Sequence, residues 1–443
     1  MAARDSVTYY AVWCEDEQAY VNGWSAIEPV ACPNSTTHAI DGGKTLALET
    51  LRREQIHVGN LPLTPFNRVM VGQETTIFDI KPGLGLSELR NIVETQGGAT
   101  VTNAVGEPEI SLCVHTAGDT ACLKSAQRSR YVAGMVCEVG IGGHLKTPLQ
   151  GDQSLRFGLF DDNDGFMFLI QGNELSVQVR KDGEIVHNTP RTAFSVDTVD
   201  GTGPSRHVIN PFKGYIWNIM FSWYGYGVVE FQIIAEDAFG EQRTIRLHRY
   251  YTQYRASISN PCLPITAELK GGTTEAMACA YITGRKFAIL GPYNPTVRRY
   301  SKVVTWEAGA SGTQQAQTLL CIRRKIGRYV SVNLTKVTAT VFGAAVPVGV
   351  HIVMNADVDA IVSAWTAPDG VVDTETVVEV GDMNASSPCS GGNTVWNGLA
   401  YPHPSAERAI DVDLVENQSI AFCAEACSAG TVVTLDLVWT EEW

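Results

Sequence analysis

The stretch LRFGLFDDNDGFMFLI (Leu155–Ile170) decides the fold class of this chain. Two runs of mostly large apolar residues, Leu155–Phe160 and Phe166–Ile170, flank the polar segment Asp161–Gly165. Short apolar runs on both sides of a Gly-containing turn are typical of a β-hairpin. The stretch therefore predicts two antiparallel strands that are buried in a sheet.

The same pattern continues along the chain. Leu175–Arg180 and Glu184–His187 flank Lys181–Gly183, where Asp-Gly supplies the positive φ that tight hairpin turns need. Period-two spacing places five large side chains on one face of a later strand: Tyr215, Trp217, Ile219, Phe221 and Trp223. Short strands at regular spacing, with almost no amphipathic helix, predict a mainly β protein of the sandwich or jelly-roll type.

The length of 443 residues indicates more than one domain, because a single core stops growing at about 250–300 residues. We expect a small N-terminal module (1–72), a β-sandwich with a lectin-like or jelly-roll form (73–300) and an acidic β-sandwich (301–443). No apolar run approaches the roughly 18 residues that span a bilayer, and the first residues lack a signal segment. We therefore expect no membrane insertion.

Two segments are harder to assign. Ser87 is a candidate N-cap for a short helical turn through Val93, ended by glycines 97 and 98. Leu46–Glu54 fits a short helix or a strand, and its periodicity does not decide between them.

The net charge of −14 is concentrated at the C-terminal end. Residues 344–443 contain 15 acidic residues and one basic residue, whereas residues 1–343 contain 32 of each. A basic zone precedes this stretch and includes Arg323, Arg324 and Lys325. We expect the basic zone and the acidic stretch to form an assembly contact, or else to be separate solvated faces. An acidic face repels phosphate, so nucleic acid is not an expected partner.

Two motifs fit turns better than ligand sites. An EF-hand loop that began at Asp161 would need glycine at its sixth position and glutamate at its twelfth, but these are Phe166 and Gly172. Gly140–Gly143 is followed by no helix that could hold a phosphate, and it indicates a turn or bulge. Hydrolase, metalloprotease and P-loop motifs are missing, so we expect no catalytic residues and no cofactor.

The 11 cysteines are scattered, and none forms a CxxC pair. We expect mostly reduced, buried thiols, with a disulfide framework as the alternative. Cys113 and His115 are the one close pair among Cys113, His115, Cys137 and His144, whereas zinc sites usually combine two such pairs. The sequence therefore predicts no metal site.

Aromatic residues near the end of the long predicted strand allow two interpretations. Alternate aromatics can fill a core, or rings can stack on sugars. Tyr224 and Tyr226 flank a glycine, so these two are the candidates for exposure and glycan contact.

Several segments resemble proteins of viral particles. The opening Tyr9–Cys14 and Cys32–His38 resembles a short N-terminal module of particle proteins from tailed phages and large DNA viruses of algae. Phe157–Asn163, Val199–Ser205 and Phe221–Gly227 look like a domain in uncharacterised proteins of the same viruses. The resemblance implies a virion location and offers no catalytic motif to carry over.

These observations favour a non-enzymatic structural protein of the virion, such as a minor capsid, fibre or tail component. Its expected partners are further copies of itself, for example in a trimer, and other virion proteins. The alternative is a carbohydrate-binding protein for host attachment that recognises surface glycans. A glycan hydrolase is the third hypothesis, because the sequence does not show whether two carboxylates face each other.

Overall fold

The structure is a computed structural model. It describes residues 6–25, 29–35, 37–52, 74–132, 134–222, 226–236, 242–252, 256–291, 293, 297–308, 316–325, 330–343, 347–358, 362–368, 371, 376–383, 388–401, 406–414, 418–425 and 429–442.

The chain divides into two compact units, Met1–Val71 and Gly72–Trp443. The N-terminal unit contains a three-stranded antiparallel sheet in the order β2-β1-β3. Its strands are β1 (Ser6–Cys14), β2 (Ala19–Ser25) and β3 (Ile40–Arg52). The segment from Leu46, which the sequence left open between helix and strand, thus continues a long strand as far as Arg52.

The second unit contains two large hydrophobic cores and a smaller buried cluster that includes Cys321 and Cys423. The first core belongs to a sandwich, here called the first sandwich, which is built from fifteen strands. These strands are β4 (Glu74–Ile80), β5 (Asn91–Gln96), β6 (Thr100–Thr102), β7 (Ile110–Val114), β8 (Thr120–Arg128), β9 (Val136–Leu145), β10 (Ser154–Phe160), β11 (Gly165–Gln171), β12 (Glu174–Lys181), β13 (Glu184–Pro190), β14 (Tyr215–Ser222), β15 (Val229–Glu236), β16 (Gln242–Tyr250), β17 (Pro264–Lys270) and β18 (Ala278–Leu290).

Two antiparallel sheets form this sandwich. A seven-stranded sheet has the order β13-β12-β11-β10-β17-β8-β5, and an eight-stranded sheet has the order β16-β15-β14-β9-β18-β7-β6, with β4 also paired to β18. Aromatic rings fill the space between the sheets, since Trp217 lies with its ring centroid 5.0 Å from those of both Phe157 and Phe168. The predicted aromatic face of β14 is confirmed for Tyr215 to Phe221, whose alternate side chains are buried. Trp223 lies outside the described residues.

The second sandwich has its own core, which includes Trp439 and Phe422. A four-stranded sheet in the order β19-β28-β21-β26 faces a six-stranded sheet in the order β23-β24-β20-β27-β22-β25. The strands are β19 (Val297–Glu307), β20 (Gln317–Arg324), β21 (Ser331–Phe342), β22 (Val348–Met354), β23 (Val362–Thr366), β24 (Val378–Met383), β25 (Asn393–Ala400), β26 (Ala406–Leu414), β27 (Ser419–Glu425) and β28 (Val432–Glu442).

The mainly β, sandwich-type fold class is therefore confirmed. Within the described ranges the helical elements are two 3₁₀ turns, Pro82–Leu84 and Arg191–Ala193. The predicted helical turn from Ser87 is closed by the Asn91 amide, which donates to Ser87 O at 2.8 Å, but its extension to Val93 is wrong, because β5 begins at Asn91 and pairs with β8. No helix among the described residues is long and apolar enough to cross a membrane.

Two motifs of the first sandwich take a definite form in the structure. Gly140–Gly143 lies inside β9 and pairs with β18 at a register shift between Ile282 and Arg285, so of the two predicted alternatives the bulge agrees with the structure and the turn does not. A Cβ on Gly142 would lie 1.9 Å from Thr283 Oγ1, so the strand pair needs glycine there. Cys113 and Cys279, which face each other in paired strands, form a disulfide.

Candidate functional site

The Asp161–Asp164 turn is held rigid by its own carboxylates. Asp161 Oδ1 accepts hydrogen bonds of 3.0 Å from the backbone amides of Asn163 and Asp164, while its Oδ2 lies 3.1 Å from Arg128 Nη1. The Asp164 side chain is buried and accepts a 2.8 Å bond from the Ser259 amide. These contacts agree with the predicted polar turn, because the two carboxylates are used to fix the backbone.

Three segments meet at the end of the first sandwich that carries the Asp161–Asp164 turn: this turn, the β12–β13 hairpin and the loop that contains Ser259. We call this end the cleft end. In the β12–β13 hairpin, Asp182 and Gly183 have φ values of 51° and 85°, as an Asp-Gly turn requires. The Gly183 amide donates to Asn163 O at 2.8 Å, and Ser259 Oγ donates to Asp182 Oδ1 at 2.8 Å. Hydrogen bonds between these segments therefore hold the side chains of the cleft end in fixed positions.

The first cleft lies on the outer face of the seven-stranded sheet and has a volume of about 260 Å³. Alternate residues of β17 explain its polarity, since Ile265, Ala267 and Leu269 enter the core while Thr266 and Glu268 face outward. The cleft is lined by Glu94, Thr95, Gln96, Thr120, Cys122, Lys124, Phe160, Asp161, Asp162, Thr266 and Glu268.

Basic side chains balance two carboxylates in this cleft. Lys124 Nζ lies 2.7 Å from Glu94 Oε2, and Glu268 Oε1 lies 3.2 Å from Arg156 and 3.3 Å from Lys270. Burial lowers the pKa of Lys124, but its bond to Glu94 and the negative charges around it together outweigh this effect, and the pKa is raised. The pairs hold the polar groups in fixed positions along adjacent strands.

Two further clefts continue from the first. The second is lined by Asn163, Asp164, Asp182, Ser259 and Asn260. The third shares Asp182 and is lined by Lys181, Glu184, Val186, Tyr250, Thr252, Ala256 and Ser257. The Asp161–Asp164 turn contributes residues to the first two clefts and Asp182 lines the last two, so the three clefts are neighbours and are together called the cleft surface.

This surface has more acidic than basic groups, although Glu94, Asp161 and Glu268 are each paired with a basic side chain. Its lining includes seven carboxylates and two lysines: Glu94, Asp161, Asp162, Asp164, Asp182, Glu184, Glu268, Lys124 and Lys181. Burial raises the pKa of Asp164, and the nearby carboxylates of Asp161 and Asp182 raise it further against two backbone hydrogen bonds. Hydroxyl and ammonium groups would be attracted to such a surface, whereas sulfate and phosphate would be repelled.

The predicted glycan contacts fall near this end. Phe221 packs on Phe166 with ring centroids 5.3 Å apart, so the β14–β15 hairpin turns at the cleft end. Tyr226 is 64% exposed in that hairpin, although the residues that line the three clefts do not include it. Tyr224 lies outside the described residues. Sequence reasoning missed Glu94 and Glu268, which only strand pairing brings together.

The predicted assembly residues have partners within the chain. Arg323 Nε lies 2.8 Å from Glu379 Oε2, and its guanidinium lies 4.3 Å from the Trp365 ring centroid. Arg324 is 5% exposed, and Lys325 donates to Thr376 O at 3.3 Å. The assembly contact stays a prediction, but burial of Arg324 leaves Arg323 as the better surface probe of the three.

Two of the dismissed metal candidates of the first sandwich, Cys113 and His144, have other partners. Cys113 is in the disulfide with Cys279, and His144 Nε2 lies 3.2 Å from Glu109 Oε1. A second disulfide joins Cys389 to Cys423. Six further cysteines in the described ranges are free thiols, namely Cys14, Cys32, Cys122, Cys137, Cys262 and Cys321.

No family model and no curated protein sequence matches the chain. Peanut lectin with a nine-residue peptide is 11% identical with a TM-score of 0.31, covering 49% of this chain and 98% of the lectin. Arcelin-5, a lectin-like defence protein from Phaseolus vulgaris, is 9% identical with a TM-score of 0.32, covering 49% and 99%. A protein of unknown function from Shewanella oneidensis MR-1 is 9% identical with a TM-score of 0.31, covering 57% and 100%. Similarity at this level carries no conclusion about function.

Proposed function

We propose that the first sandwich binds glycans at the cleft end and that the protein acts by binding rather than by catalysis. The cleft surface, formed by three neighbouring clefts, carries this proposal. Its carboxylate, amide and hydroxyl groups are suited to a polyhydroxylated ligand, since carboxylates accept charge-assisted hydrogen bonds from hydroxyl donors. Val186 and the half-buried Tyr250 add an apolar patch for the C–H face of a sugar.

The charge of the surface narrows the ligand class. Seven carboxylates against two lysines favour neutral or amino sugars over sulfated or sialylated glycans. The same charge disfavours a nucleic acid ligand.

The ion pairs of the first cleft support binding over hydrolysis. A glycosidase needs one carboxyl group that stays protonated and donates its proton to the leaving oxygen. In the first cleft Glu94 and Glu268 are instead held in ion pairs with Lys124, Arg156 and Lys270, an arrangement that suits fixed binding groups.

A glycan array and calorimetry test the proposal. We expect the full chain to bind neutral or amino glycans, and we expect Asp182→Asn and Glu94→Gln each to weaken binding by about tenfold, or about 1.4 kcal/mol. Asparagine keeps the turn conformation of Asp182, so the change removes charge with little strain. Glu236→Gln is the matched control, because Glu236 ends β15 away from the cleft end.

Failure of the full chain to bind any glycan would contradict the proposal, as would unchanged binding by both cleft variants. Release of sugar products during the binding assay would instead favour a hydrolase. Tyr226→Ala separately tests the aromatic contact predicted from sequence, and a loss of binding is expected if the ligand extends to the β14–β15 hairpin.

The particle role is compatible with glycan binding and stays a proposal. Phe157–Asn163, one of the segments that resembles viral particle proteins, contributes three residues to the first cleft. A particle protein with these clefts would serve in host attachment. Peptides of this chain in purified particles would support that role, and their absence despite good coverage of other components would oppose it.

A further inference from the structure

Four side chains with metal-ligating groups converge in the N-terminal unit. Cys14 ends β1, Glu17 lies in the β1–β2 turn, and Cys32 and His38 belong to the loop before β3. Their ligand atoms all lie within 4.8 Å of one another. The two cysteines are buried, while His38 is half-buried and Glu17 is exposed.

The distances fit tetrahedral coordination. In a zinc site with Zn–S of about 2.3 Å and Zn–N and Zn–O of about 2.0 Å, sulfur and nitrogen ligands lie about 3.5 Å apart and nitrogen and oxygen ligands about 3.3 Å apart. Cys14 Sγ lies 3.5 Å from His38 Nδ1, and His38 Nδ1 lies 3.3 Å from Glu17 Oε1.

Surrounding groups hold these ligands in place. Asn34 Nδ2 lies 3.1 Å from both carboxylate oxygens of Glu17. The Ser35 amide donates to Cys32 O at 3.2 Å and the His38 amide donates to Ser35 O at 3.3 Å, which makes a compact turn between two of the ligands.

We propose that Cys14, Glu17, Cys32 and His38 form a structural zinc site. Two thiolates and an imidazole select a borderline-soft ion such as Zn²⁺ over Mg²⁺ or Ca²⁺. Four protein ligands complete the tetrahedron and leave no position for a substrate, so the ion has a structural role.

The small size of the N-terminal unit explains why a bound zinc ion would stabilise it. The N-terminal unit spans 71 residues, and its buried apolar side chains in the described part are Ala11, Val12, Cys14 and Cys32. Below about 70–80 residues a single core supplies little stability, and many natural units of this size add a metal or disulfides. Zinc binding would supply folding free energy, because the four ligands come together only in the folded chain.

The metal content of the full chain tests the proposal directly. We expect one zinc per chain by native mass spectrometry after expression with added zinc under reducing conditions. Cobalt in place of zinc should give the strong visible absorption of a tetrahedral thiolate site. The proposal is overturned if zinc is not stoichiometric, or if thiol blocking at lysis reveals Cys14 and Cys32 joined as a disulfide.

Variants distinguish zinc binding at this site from zinc binding by other cysteines. Cys32→Ser should abolish stoichiometric zinc, and Asn34→Ala should lower zinc affinity by about 10–100-fold because it removes an outer partner of a ligand. Asn34 is exposed, so this variant remains informative if Cys32→Ser fails to fold. Cys262→Ser removes a free thiol of the first sandwich and should keep wild-type affinity. Wild-type affinity in Asn34→Ala and Cys32→Ser would overturn the assignment.

Discussion

His248 is buried and His187 is half-buried, and the hydrogen bonds of this pair require neutral rings. The Ser195 amide donates to His248 Nδ1 at 3.2 Å, so that nitrogen must be unprotonated. The two Nε2 atoms lie 3.1 Å apart, so one of them carries a proton and donates it to the other, which is unprotonated. Burial, and then the neighbouring His187, lower the pKa of His248 to about 4 from its ordinary value of 6.5.

This pair predicts a loss of stability in mild acid. The folded-state pKa lies below the unfolded one, so the unfolded chain binds more protons between pH 6.5 and 4 and the free energy of unfolding falls as pH decreases through that window. The slope approaches about 1.4 kcal/mol per pH unit for this one group. Urea unfolding at several pH values should show a smaller slope for His248→Gln than for the wild type. Equal slopes would contradict the prediction, and His144→Gln serves as a control in the same sandwich.

The contacts between individual residues were harder to predict from the sequence than the strands were. Cys14 and Cys32 are separated by 17 residues and show no paired spacing, so a search for closely spaced ligands could not detect them. Their proximity depends on the pairing of β1 with β3, which places Cys14 opposite Ile40. Glu94 and Glu268 become neighbours in the same way, since both face Cys122 across β8.

Hairpins were the most predictable elements because their signals are local. Alternating apolar residues and Asp-Gly turns place β10 to β13 close to where the sequence predicts them. The helical turn predicted from Ser87 does not extend to Val93, because the prediction rested on a capping residue alone. Ile92 and Val93 are β-branched, and pairing of Asn91–Gln96 with β8 outweighs a weak local preference.

Gly165 gives a test of strain within one hairpin. Its φ is 151°, and an added Cβ would lie 2.4 Å from Phe160 Cα and 2.5 Å from Leu159 O. Gly165→Ala should therefore combine backbone strain with a clash and lower the free energy of unfolding by roughly 3 kcal/mol or more. Gly106→Ala is the control, because its φ of 93° is also positive but nothing lies within 4 Å of the added Cβ. We expect it to cost only about 1 kcal/mol in denaturant unfolding. Similar losses in both variants would exclude the clash.

At the scale of the whole molecule, the two sandwiches of the second unit meet through charged side chains. Arg130 of the first sandwich lies 3.0 Å from Glu442 Oε1 and 3.5 Å from Asp413 Oδ1 of the second. Tyr293 Oη donates to Glu442 Oε2 at 2.6 Å, and Gln127 donates to Asp413. Part of the acidic charge of the C-terminal region is thus balanced by the first sandwich, which the charge distribution along the sequence could not reveal.

Arg130→Met tests whether this contact couples the two sandwiches. The variant keeps most of the apolar stem but leaves Asp413 and Glu442 close together without the guanidinium, and their side chains are 21% and 16% exposed. We expect a loss of roughly 2–4 kcal/mol, since a half-buried pair that loses one partner keeps an uncompensated charge. In scanning calorimetry the unfolding of the second sandwich should move to lower temperature and separate from that of the first. Lys213→Met breaks the exposed pair with Glu236 and should change stability by only about 0.5 kcal/mol. If the thermogram of Arg130→Met is identical to that of Lys213→Met, the two sandwiches are coupled by other contacts. Removal of the Arg130 guanidinium, which Asp413 and Glu442 share, would then have no effect on the unfolding of either core.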